Sequence, residues 1–248
     1  MPPLDVLAVG AVAVFLGYGM FAVTAFGAAI VIVPILSHVL PLAEILPVTV
    51  VFDLGAAATI GLRARADADR AEVQRLVPFS LIGAVLGVTL LVSLPREATL
   101  VALGAFLVLY AASSLAEGGR LRTIGPQWAP SAGVIGGAMG TLFGTGGPPY
   151  VMYLTRRIGD GTRLRATIAV MIALSVAIRL IVFVAAGLMV RDRFVMVALW
   201  LPFAAAGFGL GSRIQPRLPR ALVVRLLNLL LLGLGASLLW RALGTGAP

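Results

Sequence analysis

Residues 143–157 read FGTGGPPYVMYLTRR. Gly144, Gly146 and Gly147 favour a turn, while Pro148 and Pro149 lack N–H groups and suit the first turn of a new helix. A helix is therefore expected from about Pro148, its N-terminal end beside the glycines. The N–H groups of Thr145, Gly146 and Gly147 and the Thr145 hydroxyl converge there. A helix N-terminus carries roughly half a positive charge and favours anions. An earlier stretch, TAFGAAIVIVPIL (24–36), has a similar outline, with Gly27 standing near the place of Gly146. It offers the Thr24 hydroxyl and the N–H groups of Gly27 and Ala28. Two such ends around one hollow make an anion site without a cationic side chain. One helix end contributes only about 0.3–1 kcal/mol, or ~2 when partly buried. Desolvating a small anion costs several kcal/mol, so retained water or a nearby arginine has to help. Close helix packing is the competing reading of the glycines. It suits Gly83, Gly87, Gly133, Gly137, Gly207 and Gly211, which follow a small-xxx-small pattern, but it gives no role to consecutive prolines.

Two charges lie inside apolar runs. Asp53 sits within ILPVTVVFDLGAAATIG and Arg179 within MIALSVAIRLIVFVAAG. Intramembrane charges are expensive and face a bundle interior or a wet path. Three readings of Asp53 stand: carrier of a coupling proton, partner of Arg179, or a buried hydrogen-bonding residue. Arg179 either compensates substrate charge or pairs structurally. If substrate releases Arg179 from Asp53, the two roles are coupled. Tyr150 follows Pro149 directly, and its hydroxyl either donates to the anion or its ring merely packs. Arg156, Arg157, Arg163 and Arg165 read as orientation anchors at a cytoplasmic turn, and His38 and Glu44 as part of a solvated outer turn.

The elements that must hold these groups are read from composition. Of 248 residues, 60% are hydrophobic and 12% are charged, where a soluble domain has about 25% charged. Apolar runs at 4–24, 43–62, 76–94, 97–116, 164–190, 194–213 and 220–242 each reach the ~20 residues that cross a bilayer. Runs at 27–39 and 129–142 fall short. This is the pattern of an all-α polytopic membrane protein rather than a barrel, which would alternate. The first run lacks a basic flank and reads as a retained helix rather than a signal peptide.

The net charge of +9 comes from 19 arginines and no lysine, set between the apolar runs. They set topology, and no soluble basic face with readers for nucleic acid accompanies them. With no cysteine and one histidine, a thiolate or histidine metal site is excluded. Thr145 without a base is a poor nucleophile, and no paired carboxylates appear, so an intramembrane enzyme is disfavoured. No cofactor is expected, only a coupling proton or sodium ion. The expected partners are a small anion and the lipid bilayer, with a homodimer left open.

Gly83, Gly87, Pro95 and Arg96 recur at the same spacing as Gly207, Gly211, Pro219 and Arg220. The chain thus divides into a first repeat at 1–117, a linker at 118–128 and a second repeat at 129–248. If each repeat is a re-entrant hairpin plus three crossings, thirteen arginines between Arg63 and Arg220 share one side. Arg96, Arg191, Arg193 and Arg241 share the other. The richer side is the cytoplasm. Both termini are then periplasmic, and the repeats are inverted, their hairpin tips entering from opposite faces as in many secondary transporters.

The tip with its Pro-Pro, the TAFGAAIVIVPIL stretch and the two-half layout resemble the TauE/SafE sulfite exporter family, also known as toluene sulfonate uptake permeases. The resemblance covers nearly the whole chain. It implies transport of sulfite, sulfoacetate, other organosulfonates or related anions across a bacterial inner membrane. The first tip departs from a glycine-rich form, reading Phe26-Gly27-Ala28-Ala29. Carrier and channel share such a site and are not separated by sequence.

Overall fold

The structure, a computed structural model, describes residues 3–24, 28–116, 123–214, 229 and 231–240. Among them it is helical, without strands. The helices are α1 (Leu4–Thr24), α2 (Ala29–Leu36), α3 (Leu42–Ala64), α4 (Arg70–Ser93), α5 (Arg96–Ala116), α6 (Ala129–Phe143), α7 (Gly147–Thr155), α8 (Gly161–Ala185) and α9 (Arg191–Ile214). A 3-10 turn (Pro126–Trp128) precedes α6, and α10 (Leu231–Trp240) follows α9.

Four helices are long and apolar enough to cross a membrane on the strictest reading: Asp5–Val23, Arg70–Ser93, Gly161–Ala185 and Arg191–Ile214. α3, with 23 residues, also exceeds the ~30 Å hydrocarbon thickness at ~1.5 Å per residue. α2 and α7 have 8 and 9 residues and are too short. α4 shows why a bilayer is the natural solvent. Its inner face buries Leu76, Ala84, Val88 and Leu91, while Leu81, Ile82, Val85 and Leu86 are exposed on the other. A helix apolar all round belongs in lipid or in a large core.

Helix ends differ from the apolar runs where polar chemistry sets them. α4 begins six residues before the run at 76–94. Its first two turns carry Arg70, Glu72 and Arg75, and Asp69 caps it by accepting from Ala71 N (3.1 Å) and Glu72 N (3.3 Å). α8 stops at Ala185 although the apolar run continues to residue 190. Gly187 takes a left-handed φ of 69°, and Leu188 N reaches back to Phe183 O at 2.9 Å. That is a helix-ending bond pattern which glycine makes at least cost.

The chain forms two compact units that interleave in sequence: residues 1–45, 93–119 and 194–248 in one, 46–92 and 120–193 in the other. In the first unit, α9 lies on α1. A Cβ on Gly207 would collide with the Phe15 carbonyl, and one on Gly211 with that of Gly19. Trp200 of α9 donates Nε1–H to Leu7 O at 3.2 Å, its ring over Gly10. In the second unit, α4 lies on α6, with Gly83 against the Val134 carbonyl and Gly87 against that of Ala138. Gly133 and Gly137 of α6 complete the seam against α4. The two seams use matching positions. Gly207 and Gly211 stand 124 residues after Gly83 and Gly87, and Val134 and Ala138 stand 119 residues after Phe15 and Gly19.

Candidate functional site

α6 breaks off at Gly144, whose φ of 74° is left-handed and whose N–H donates to Gly140 O at 3.0 Å. Only glycine takes that conformation without a Cβ penalty. Three residues later α7 starts at Gly147, one position before the start expected from sequence. No side chain caps it. A capless helix leaves four N–H groups without helical partners. Here Pro148 and Pro149 remove two of them, leaving Gly146 and Gly147 as the donors, with Thr145 beside them. Thr145 is buried. Gly146 is pressed into α6: a Cβ there would stand 2.5 Å from Gly136 O and 3.2 Å from Gly140 Cα. Gly147 has open space where a Cβ would project.

The Arg179 side chain, 4% exposed, meets the broken end of α6. Its Nη1 donates to Gly140 O at 3.0 Å, the same carbonyl that accepts Gly144 N–H. A guanidinium at a helix C-terminus sits against the negative end of the helix dipole. Its Nη2 donates to Asp53 Oδ2 at 2.6 Å. Its Nε is buried with no partner among the described residues. The two mid-segment charges of α3 and α8 therefore form one ion pair, one carbonyl away from the tip. Gly140 itself lies beside Gly146, a built Cβ standing 3.5 Å from Gly146 Cα.

Tyr150 is fully buried, its ring against Gly136. Its hydroxyl lies between Ser80 Oγ of α4 (2.6 Å) and Ser175 Oγ of α8 (3.3 Å). It ties α7 to two long helices. Ser175 and Arg179 are one helical turn apart on α8, so one face of that helix serves both Tyr150 and the α6 end.

The second tip, Asp53 and Arg179 thus fall together in one unit. Thr24 ends α1 and Ala28, buried, precedes α2 in the other unit, and Gly27 lies outside the described residues. Sequence reading passed over Glu72, Ser80 and Ser175. Glu72 is 4% exposed and accepts the Tyr153 hydroxyl at 2.7 Å and Arg157 at 2.7 Å. The signal available was spacing: Glu72, Leu76 and Ser80 recur every four residues and share a helix face. Among the described residues no cluster of His, Cys, Asp or Glu suits a metal ion.

The family model for sulfite exporter TauE/SafE matches residues 8–238. The probable inner membrane transporter protein TsaS of Comamonas testosteroni is 30% identical over 173 residues, 67% of this chain and 72% of that protein. No solved structure matches.

Proposed function

On the premise that the chain belongs to the sulfite exporter TauE/SafE family and is a membrane transporter, we propose that it carries a small sulfur-bearing oxyanion by secondary transport. Sulfite, sulfoacetate and other organosulfonates are the candidate substrates. The relative's name, an inner membrane transporter, supports the same membrane for this chain. The topology proposed within it rests on the arginine distribution alone: arginine-rich loops in the cytoplasm and both termini periplasmic.

The observation that carries the reading is the break between α6 and α7, with Arg179 bound to Gly140 beside it. Uncapped N–H groups of Gly146 and Gly147 supply the electropositive end, and the Thr145 hydroxyl adds a donor. A helix-end contribution of about 0.3–1 kcal/mol, or ~2 when partly buried, falls short of the desolvation cost. A charge-assisted bond from Arg179, worth about 1.5–3 kcal/mol, narrows that gap. The matching glycine seams of α4 on α6 and α9 on α1 support two related halves; their inversion in the membrane rests on the arginine distribution.

Asp53 is the internal competitor. Its carboxylate occupies one arm of Arg179 until substrate or a proton takes its place, so substrate binding and Asp53 protonation favour the same release. Transport proceeds by alternating access, with a negative-inside membrane potential favouring anion export by ~2.3 kcal/mol per charge per 100 mV. Import needs a co-transported proton or sodium ion.

Counterflow in proteoliposomes tests this reading. Sulfite, sulfoacetate, thiosulfate, taurine and acetate are loaded inside in turn, and uptake of labelled sulfite is followed. Saturable uptake stimulated by sulfite or a sulfonate inside, and not by acetate, is expected. High conductance without trans-stimulation would make the protein a channel.

A further inference from the structure

α7 is nine residues long, and its first residue borders the break. Whatever holds the far end of so short a helix sets where the near end stands. One carboxylate does the holding. Glu72 Oε2 accepts the Tyr153 hydroxyl at 2.7 Å. Its Oε1 accepts Arg157 Nε (3.1 Å) and Nη2 (2.7 Å), and Arg75 Nη1 at 2.7 Å. Arg157 Nη1 also donates to Ile124 O at 3.2 Å, and Ile124 N to Arg156 O at 3.4 Å. The segment before α6 and the segment after α7 are thereby stitched to the same carboxylate. Its hydrogen bonds to the Glu72 carboxylate push the Arg157 guanidinium further into its charged range.

Two turns along α4, Ser80 holds Tyr150 at 2.6 Å. Leu76, between them, packs with Tyr150, Tyr153 and Leu154 in one buried cluster. The contact between α4 and α7 is therefore apolar in the middle and hydrogen-bonded at both ends. Apolar contact tolerates slip; directional bonds at two points do not. A buried ion pair is poor evidence of added stability, since apolar replacements often do as well, and fixing register is its best-attested use.

The geometry points to Glu72 as a positioning residue for transport: through Tyr153 and Arg157 it fixes the register of α7 on α4, and so the position of the Gly147 end. The consequence for transport rests on the reading that this end binds the anion.

The chain has no cysteine, and Gly147 has room for a side chain, so Gly147→Cys is a single thiol reporter. Its labelling rate with N-ethylmaleimide is compared in three backgrounds: otherwise unaltered, Glu72→Gln and Tyr153→Phe. KM and maximal rate for sulfite uptake are measured for Glu72→Gln and Tyr153→Phe without the reporter. Labelling is expected to change at least threefold in Glu72→Gln and in the same direction, to a smaller extent, in Tyr153→Phe. KM for sulfite is expected to rise about tenfold, within the ~100-fold that a 1 Å misplacement costs, with a smaller change in maximal rate per inserted molecule. Should Glu72→Gln fail to insert, Tyr153→Phe, which loses one oxygen, decides. Unchanged labelling and KM in variants that insert would overturn the proposal and leave Glu72 a stabilising residue only. The anion reading fails separately: if the maleimide-labelled reporter still transports sulfite with the parent KM, the Gly147 end is not the site, and the labelling rates alone decide the role of Glu72.

Discussion

At the scale of residues, the ion pair between Asp53 and Arg179 is the most consequential contact. Both side chains are largely withdrawn from solvent, so removing one partner leaves an uncompensated charge, typically costing 3–5 kcal/mol. Arg179→Gln and Asp53→Asn should each lower the melting temperature of the purified protein. The double variant should recover much of that loss, because no charge is then left alone. Transport should not recover. Uptake restored in the double variant would reduce the pair to a structural bond. Asp53→Asn with Arg179 intact should also lose the pH-dependent part of uptake, and full retention would remove Asp53 as proton carrier. Both charges were legible as exceptions within apolar runs. The hydroxyl partners of Tyr150 were not, because Ser80 and Ser175 reach it from helices distant in sequence, and a serine in an apolar run is unremarkable. Glu72 was hidden for another reason: amid Asp69, Arg70 and Arg75 it reads as the rim of a charged loop, whereas folding turns it inward.

At the scale of elements, glycines separate into those that carry a seam and those that do not. On α9, Gly207 and Gly211 touch backbone of α1, while Gly209 between them has open space. Gly207→Ala should destabilise by about 1–3 kcal/mol, as overpacking does. Gly209→Ala should be neutral or stabilising by up to ~1 kcal/mol, as expected when alanine replaces glycine in a helix. Thermal unfolding in detergent reads both, and equal effects would contradict the seam. The same logic divides the tip: Gly146→Val forces α6 and α7 apart, whereas Gly147→Val only fills open space. The break itself was legible, since glycine and proline act through local backbone geometry that needs no tertiary partner. The start of α4 and the end of α8 depart from the apolar runs because hydropathy registers apolar side chains, not a polar first turn or the left-handed Gly187.

At the scale of the whole molecule, the membrane class followed from composition, because few soluble folds bury so many apolar residues on so few charges. The interleaving of the two units did not follow. Sequence repeats mark which segments are alike, and packing decides which segments lie together. Topology is testable in the cysteine-free chain. Gly159→Cys and Val190→Cys flank α8, both at exposed positions. A membrane-impermeant thiol reagent added to intact cells should label the residue at 190 and spare that at 159 if the arginine-rich loops are cytoplasmic. Labelling of both from one side would mean that α8 does not cross.

The most direct measurement is a sulfite titration of the purified protein and of Gly147→Val, followed by thermal shift. The two should melt alike without ligand, and sulfite should raise the melting temperature of the parent but not of the variant. A variant that responds to sulfite as the parent does, or a parent stabilised by cations alone, would contradict an anion site at the start of α7.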